Sequence, residues 1–332
     1  MAKATITIVG LGKRGSSIGL ALRAPELDFQ VIGHDKEAVV AKKARSLGAV
    51  HTTAWNLISA CETADVIILT IPFDQVEPTL KAIGQDIREG CVVLDTSPYT
   101  LPGLHWAEQH LKSGAHLVGI ALGRNPEHMQ DQTHGPDGAR ADLFANSPCC
   151  IMPAATVNPA AVKTAQDIAL LLKADPYFLD PAEFDGVSTA VHLMPALTAA
   201  ALIAPATASP GWREMQRLSS THLLNLSEPL EDGGAALAQA AMLNKASTLN
   251  WLDITLTGLQ MIRSWVAEEN SAALTEQLEM ALKMRDEWLA AWRLNRWERN
   301  STAAEIPAAG GLFGQLLGFR PPRKPAQSGD SQ

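Results

Sequence analysis

The chain has few cysteines, and they form no recognised pattern. The 332 residues include four cysteines without Cys-x-x-Cys spacing, namely Cys61, Cys91, Cys149 and Cys150. The four cysteines do not form the pattern of a disulfide framework. They also lack the close spacing of structural zinc ligands, and the nine histidines are scattered. We therefore expect reduced cysteines, no bound metal and a reducing, cytoplasmic compartment.

Positive charge is also scarce. The chain has 27 Lys and Arg against 35 Asp and Glu, which gives a formal net charge of −8. A nucleic-acid-binding surface is usually basic, so we expect no nucleic-acid partner. The sequence does not begin with a basic segment, a short apolar core and a cleavage site, so we expect no secretion.

One long stretch contains no charged residue. Residues 186–212 lack Asp, Glu, Lys and Arg, and about 20 apolar residues are enough to cross a bilayer. The stretch is nevertheless rich in Ala, Ser and Thr, and it is interrupted by Pro195, Pro205 and Pro210. We therefore predict a core or subunit-interface helix and no membrane span.

A glycine-rich turn stands near the start of the chain. The apolar run Ala4–Val9 leads directly into Gly10-Leu11-Gly12-Lys13-Arg14-Gly15, and a helical pattern follows. In a dinucleotide-binding fingerprint, the first glycine permits the turn, the second admits the pyrophosphate and the third lets the helix pack closely. The helix N-terminus attracts phosphate, and Lys13 and Arg14 add positive charge. The order of strand, turn and helix predicts a dinucleotide site.

An acidic residue follows the second predicted strand. Phe29–His34 has a strand pattern and is followed by Asp35, about 20 residues beyond the glycine turn, where an acid can accept hydrogen bonds from the adenosine ribose. This position favours NAD over NADP. NADP stays open, because His34, Lys36 and Arg14 are placed to meet a 2′-phosphate.

Strand and helix patterns alternate through the first half of the chain. Later strands are predicted near residues 66–70, 92–95, 116–119, 149–152 and 177–179. This alternation predicts a doubly wound parallel sheet that binds ligands beyond the carboxyl ends of its strands. Beyond about residue 180, apolar residues recur every three or four positions, which predicts helices. We predict a Rossmann domain over 1–183, an all-helical dimerisation and substrate domain over 184–300, and a flexible tail over 301–332.

Several motifs together resemble the prephenate dehydrogenase family. The segment 64–72, Ala-Asp-Val-Ile-Ile-Leu-Thr-Ile-Pro, resembles the family's strand that ends in a proline beside the nicotinamide. Residues 142–144 and 150–153 resemble its closing loop and the strand after it. Residues 190–195, Ala-Val-His-Leu-Met-Pro, are similar to the family's Ser-His-Leu-Pro-His helix, and 211–217, Gly-Trp-Arg-Glu-Met-Gln-Arg, to its Gly-Phe-Arg-Asp…Arg motif.

The resemblance implies an NAD(P)-dependent oxidative decarboxylation of prephenate or arogenate, a step of tyrosine biosynthesis. It implies that Pro72 lies at the nicotinamide, that Arg217 binds a substrate carboxylate and that His192 lines the same pocket. Ser97 and Arg124 follow strands of the sheet, and we expect them to face the nicotinamide. Burial of 186–212 and of the Leu and Trp stripes beyond it in a shared core would make the protein a homodimer.

The chain departs from the family pattern in the pocket. The family's Gly-His-Pro-Met histidine aligns with Ala121, or with Asn125 if a gap is allowed, and His128 is a nearby stand-in. The family's Asp-x-Gly-Ser-x-Lys reads Asp-Thr-Ser-Pro-Tyr-Thr at 95–100, and its His-Asp reads Phe-Asp at 184–185. Two other hypotheses therefore stay open: a paralogous dehydrogenase for another small carboxylate, and a dinucleotide-binding sensor without turnover.

Overall fold

The computed structural model describes residues 3–25 and 27–294, and its central feature is one eight-stranded sheet. The strands are β1 Ala4–Val9, β2 Phe29–His34, β3 Thr52–Thr53, β4 Val66–Leu69, β5 Val92–Asp95, β6 His116–Leu122, β7 Pro148–Pro153 and β8 Asp175–Phe178. Their order across the sheet is β3-β2-β1-β4-β5-β6-β7-β8. The reversal of strand order beside β1 is the topological switch point at which such sheets bind ligands.

Helices cover the sheet and then form the rest of the described chain. Those between the strands are α1 Lys13–Leu22, α2 Ala38–Ser46, α3 Leu57–Cys61, α4 Val76–Ile83, α5 Leu101–His110 and α6 Pro159–Leu171. Those after β8 are α7 Pro181–Ser188, α8 Met194–Thr207, α9 Trp212–Leu218, α10 Thr221–Ser227, α11 Gly234–Leu243, α12 Lys245–Ala267 and α13 Ser271–Arg293. The α/β sheet followed by helices confirms the predicted fold class. The domain boundary at 183–184 stays a prediction, and the tail 301–332 lies outside the described residues.

Two strands depart from the predicted parallel arrangement. Strands β1 to β6 run parallel, but β7 pairs antiparallel with β6, with Ala121 opposite Cys150, and β8 runs parallel to β7. A parallel return needs a crossover, usually a helix. The connection between β6 and β7 contains only two short 3₁₀ turns, Pro126–His128 and Pro136–Gly138, so the chain returns in the opposite direction.

Both faces of the sheet are buried. All four residues of β4 are buried, as its continuous apolar run predicts. Because successive side chains point to opposite faces, Ile68 joins a core with α1 and α6, whereas Ile67 joins a second core with α4 and α5. In the second core, the Phe73 ring lies 5.4 Å from the Trp106 ring, measured between centroids.

Helices α7 and α8 are joined through a π-helical turn, Thr189–Leu193, into one long helix. By length and composition alone, Pro181–Thr207 could cross a membrane, and one third of its most apolar window is buried (33%). Its first part is tied to the sheet domain, because the Ser188 hydroxyl donates a hydrogen bond to the Pro98 carbonyl. This tie supports the predicted core or interface helix.

The long helices α12 and α13 leave their apolar stripes exposed. Thr248 is the one buried residue of α12, and α13 has none within the part of the chain that the structure describes. The exposed apolar residues of α12 are Leu249, Ile254, Leu256, Leu259, Met261, Ile262 and Val266, and those of α13 are Leu278, Met280, Leu282, Met284 and Trp288. The described part of a single chain therefore does not bury the predicted stripes.

Candidate nucleotide and substrate site

The three glycines of the turn have three different surroundings. Gly10 has a φ of +93°, and a Cβ there would lie 2.6 Å from the Thr70 carbonyl oxygen. A Cβ at Gly15 would lie 2.0 Å from the carbonyl oxygen of Gly10, so α1 contacts the turn backbone directly. Among the described residues, no atom beyond its chain neighbours lies within 4 Å of the Cβ position at Gly12. The turn therefore packs tightly on the protein side and leaves open space where a pyrophosphate would approach.

The N-terminus of α1 is free to receive an anion. Gly12 is the residue before its first turn, and no side chain caps that end of the helix. The first turn contains no acidic residue. Unpaired amide donors and the positive end of the helix dipole thus face the open space.

Asp35 is fixed beside this turn at the carboxyl end of β2. Its Oδ2 accepts a hydrogen bond from the Leu11 amide at 2.7 Å, and its Oδ1 accepts one from the Glu37 amide at 2.9 Å. Each carboxylate oxygen has two lone pairs, so acceptor capacity remains for ribose hydroxyls. The structure thus places the predicted ribose acid next to the glycine turn.

The loop between β6 and β7 crosses the start of α1. Lys13 Nζ donates a hydrogen bond to the Asp131 carbonyl at 2.6 Å and lies 3.7 Å from its carboxylate. Arg140 Nε also donates to that carboxylate at 2.9 Å, and the Arg140 amide donates to Ser17 Oγ at 3.0 Å. Burial lowers the pKa of Lys13. The loop therefore packs against the first turns of α1 and engages one of the two cations of the predicted site.

Arg14 follows the glycine turn and lies within electrostatic range of side chains from both parts of the chain. Burial lowers the pKa of His192, and the positive charge of Arg14 lowers it further. Burial raises the pKa of Asp232, and Arg14 opposes that shift. The charge of Arg14 also reaches Asp95 and Arg124. The four other side chains therefore lie within electrostatic range of Arg14, and we call the five together the Arg14 cluster.

His192 occupies an unusual stretch of helix. It lies in the π-helical turn Thr189–Leu193, and it keeps contact with solvent although many protein atoms surround it. Such turns insert one extra residue into a helix and often occur at functional sites. The lowered pKa favours the neutral imidazole, which is the form that can accept a proton.

Ser97 supports a buried carboxylate. Its hydroxyl lies 2.8 Å from Asp95 Oδ2 and 3.0 Å from the Tyr99 carbonyl, and its amide donates to Asp95 Oδ1 at 3.0 Å. Burial raises the pKa of Asp95 to about 6, although both bonds from Ser97 oppose the shift. The hydroxyl is therefore engaged within the turn after β5, and the predicted catalytic role of Ser97 stays a prediction.

The Asp95 titration should make stability fall as the pH rises. Its pKa is about 6 in the folded protein, whereas an aspartate in an unfolded chain has a pKa of about 3.9, so the folded state binds this proton more tightly. The contribution of this proton to the free energy of unfolding is complete below about pH 4, and it is lost as the pH rises through about 6. Urea unfolding of wild type and Asp95→Asn, compared across this range, should show the wild-type advantage shrinking by on the order of 2 kcal/mol. A difference that does not change with pH would contradict this assignment.

The chain is similar in sequence to known dehydrogenases. The family model for the nucleotide-binding domain of prephenate dehydrogenase matches residues 18–177. A prephenate dehydrogenase of Bacillus subtilis (strain 168) is 24% identical over 288 residues, which are 86% of this chain and 76% of that protein. Residues 18–177 therefore form a nucleotide-binding domain of the prephenate dehydrogenase type. The predictions of a dehydrogenase of this type and of a nucleotide-binding domain are thereby confirmed.

A further relative is similar in sequence, and two solved dehydrogenase structures are similar in fold. A cyclohexadienyl dehydrogenase of Zymomonas mobilis is 25% identical over 164 residues, covering 49% of this chain and 53% of that protein. The structure of prephenate dehydrogenase from A. aeolicus with hydroxyphenyl propionate and NAD⁺ has a TM-score of 0.73 at 17% identity, over 86% of this chain and 99% of that one. Synechocystis arogenate dehydrogenase has a TM-score of 0.64 at 22% identity, with the same coverages of 86% and 99%.

The structure shows what occupies the positions aligned with the family histidine. Ala121 lies within β6 and offers no proton acceptor. Asn125 is buried. Its side-chain Nδ2 donates to the Asp142 carbonyl at 3.0 Å, and its Oδ1 accepts from the Glu127 backbone amide at 3.1 Å. His128 Nε2 lies 2.9 Å from Asp142 Oδ1. Asn125 and His128 therefore hold the loop together.

The C-terminal helix contacts the same loop. Trp292 Nε1 on α13 donates a hydrogen bond to the Arg124 carbonyl at 3.2 Å, and the rings of Trp288 and Trp292 lie 5.3 Å apart. Arg124 Nη1 donates in turn to the Met129 carbonyl at 3.3 Å. The sequence predicted the tryptophans only as core or interface, because helical spacing does not show which distant loop a side chain meets. Trp292 thus positions the backbone of a residue predicted to be functional.

Replacement of Trp292 by phenylalanine should weaken substrate binding more than turnover. The change keeps an aromatic ring but removes a hydrogen bond, which is typically worth about 1 kcal/mol or about fivefold in affinity. We expect KM for an anionic substrate to rise about that much, with kcat changed less than about twofold. Trp288→Phe, which keeps the bond to Arg124, is the matched control. Equal kinetics for the two variants would argue against a positioning role.

Two predicted residues lie apart from the contacts described above. Arg217 is exposed on α9 and, among the described residues, makes no hydrogen bond or ion pair. Pro72 follows β4 and precedes the 3₁₀ turn Phe73–Gln75, at the sheet edge that carries the glycine turn. Their roles at the substrate carboxylate and at the nicotinamide stay predictions. Asp232, which sequence reasoning missed, lies in a short acidic turn that carries no recognisable signal.

Proposed function

We propose that the protein is an NAD-dependent dehydrogenase that oxidises prephenate or arogenate with loss of carbon dioxide. One observation carries the cofactor assignment: the turn leaves open space at Gly12 beside the uncapped start of α1, with the Asp35 carboxylate fixed next to it. A 2′-phosphate at that carboxylate would meet a like charge, so NAD fits better than NADP. Bound NAD supplies the hydride acceptor.

Different residues at the glycine turn would bind different parts of NAD. The amides at the start of α1 would hold the pyrophosphate, and Lys13 and Arg14 would add positive charge. Lys13 already pairs with Asp131, so the β6–β7 loop orients it. Asp35 would accept hydrogen bonds from the adenosine ribose, and Pro72 would border the nicotinamide.

The Arg14 cluster would attract an anionic substrate, and it contains a residue that can accept a proton. Arg14 and Arg124 bring positive charge to it, and Arg217 would bind a carboxylate, for which a planar guanidinium is well shaped. Since Ala121 cannot accept a proton, we assign proton transfer to the neutral His192. Asp95 is buried and holds the Ser97 turn in place.

A second copy of the chain is the proposed partner of the exposed stripes on α12 and α13. The exposed apolar residues recur along two helices of 23 residues each. Monomeric proteins rarely expose apolar patches of this extent, and twofold pairing would cover both stripes. We also propose a reducing, cytoplasmic location, because all four cysteines are buried and unpaired.

An assay with either nucleotide and several substrates tests the proposal. Reduced nicotinamide should accumulate with NAD and prephenate or arogenate, and His192→Asn should lower kcat about a hundredfold or more. Lys163→Ala, on α6 and outside the Arg14 cluster, serves as a control expected to keep wild-type kinetics.

A second candidate is a dehydrogenase for another small carboxylate, and Ala121 at the family's histidine position favours it. Turnover of a 2-hydroxy acid without turnover of prephenate or arogenate would establish this alternative. Nucleotide binding without any turnover would instead indicate a sensor.

A further inference from the structure

An exposed tryptophan lies beside the predicted ribose site. The exposed fraction of Trp55 is 90%, which is the highest among the large apolar side chains that are exposed in the described part of the chain. Large aromatic residues are usually well buried on average. A tryptophan left this open in a folded domain is a candidate contact for a ligand or a partner.

The sheet fixes where Trp55 lies. Strand β3 pairs in parallel with β2, with Thr53 opposite Gly33. The Ala54 amide donates to the Gly33 carbonyl at 3.0 Å, and His34 Nδ1 lies 3.0 Å from the Ala54 carbonyl. Trp55 is the next residue after Ala54, just as Asp35 is the next residue after His34. The two residues therefore leave neighbouring strands at the same carboxyl edge.

The turns that follow these strands are both well defined. Asn56 Oδ1 accepts a hydrogen bond from the Ser59 amide at 2.9 Å and so caps α3. Asp35 Oδ1 accepts from the Glu37 amide, which shapes the chain entering α2. Val39, in the first turn of α2, is also exposed, with an exposed fraction of 81%. Exposed apolar side chains thus follow both β2 and β3 at the edge that carries Asp35.

We propose that the Trp55 indole stacks on the adenine ring of the bound dinucleotide. This inference rests on the proposed function, since it requires a dinucleotide whose adenosine ribose meets Asp35. The adenine is attached to that ribose, so it must lie within one base length of the carboxylate. A planar, exposed aromatic side chain at this edge offers the π-face that a base needs, without specific hydrogen bonds.

Calorimetric titration of the full chain with NAD, AMP and nicotinamide mononucleotide tests the proposal. Trp55→Ala should weaken the affinity for NAD and for AMP about tenfold, whereas Trp55→Phe should weaken it less than about threefold. Affinity for nicotinamide mononucleotide should not change, because that molecule lacks adenine. Leu170→Ala, which removes another exposed apolar side chain on α6, should bind all three ligands like wild type.

The outcomes separate this proposal from the function on which it rests. Wild-type binding of NAD together with unchanged affinities in Trp55→Ala would overturn the stacking and leave the dehydrogenase assignment intact. A change of oligomeric mass in Trp55→Ala with unchanged AMP affinity would mean that Trp55 is a protein contact, which also overturns it. Failure of the wild-type chain to bind NAD or AMP would overturn both.

Discussion

Replacement of Gly12 by alanine should weaken NAD binding at least a hundredfold while the fold stays intact. Within the described part of the chain, no atom beyond its chain neighbours lies within 4 Å of the Cβ position, and the backbone angles of φ −64° and ψ −164° are accessible to alanine. The new methyl group would fill the space through which the pyrophosphate approaches the backbone. Calorimetry should report the lost affinity, and thermal unfolding should give Tm within about 2 °C of wild type.

Gly15→Ala is the matched comparison for Gly12→Ala. Its Cβ would lie 2.0 Å from the Gly10 carbonyl oxygen and 2.5 Å from Thr70 Oγ1. The helix must move away from the turn, and overpacking of this kind typically costs about 1–3 kcal/mol or more. This variant should therefore lose stability as well as NAD binding. If Gly12→Ala bound NAD like wild type, the pyrophosphate would not lie at this turn.

Replacement of Asp185 by alanine should lower the free energy of unfolding by about 3 kcal/mol or more. Its Oδ1 accepts a hydrogen bond from the Thr100 amide at 2.7 Å and its Oδ2 one from the Leu101 amide at 3.1 Å. The carboxylate on α7 thus caps the start of α5, far away in the sequence. Alanine would leave buried amide donors unpaired, and urea unfolding measures the loss.

Asp180→Ala is the control for this prediction. Asp180 caps α7 itself, accepting hydrogen bonds from the Ala182 amide at 2.8 Å and the Glu183 amide at 3.3 Å, and it is exposed. Loss of such a local cap typically costs about 1 kcal/mol. Asp185→Asn should fall between the two alanine variants, because its amide oxygen retains one acceptor. Equal losses for Asp180→Ala and Asp185→Ala would contradict the role of Asp185 in capping α5.

The features that the sequence predicted correctly are local ones. The glycine turn follows from three residues within one loop, and the strand Val66–Leu69 follows from a continuous apolar run. The placement of Asp35 beside Leu11 follows from the parallel pairing of β1 with β2, which the βαβ pattern implies. Patterns with a period of two or 3.6 residues report burial within one element, and here they were sufficient.

The features that the sequence did not predict depend on contacts between distant elements. The direction of β7 depends on whether the preceding connection forms a crossover helix, and strand periodicity is the same in either direction. Asp232 and Arg14 lie far apart in the chain and meet only when the helical part folds over the sheet edge. The bond from Trp292 to Arg124 likewise closes a long loop.

The pocket differs from the family pattern while the nucleotide turn does not, and this contrast has a physical basis. A pyrophosphate requires close backbone approach, which Gly10 and Gly15 supply through steric constraints that other residues would break. A proton acceptor needs only a suitable side chain within reach of the substrate. With Ala121 in the family's histidine position, His192 is the residue to which we assign that task.

The most direct test of the central claim measures two products of one reaction. Wild-type protein is incubated with NAD and prephenate or arogenate, and reduced nicotinamide and released carbon dioxide are quantified together. We predict that both form at a steady rate and in equal amounts, since each hydride transferred accompanies one decarboxylation. Tight NAD binding without either product would contradict the assignment and would identify the chain as a nucleotide-binding member of the family with another role.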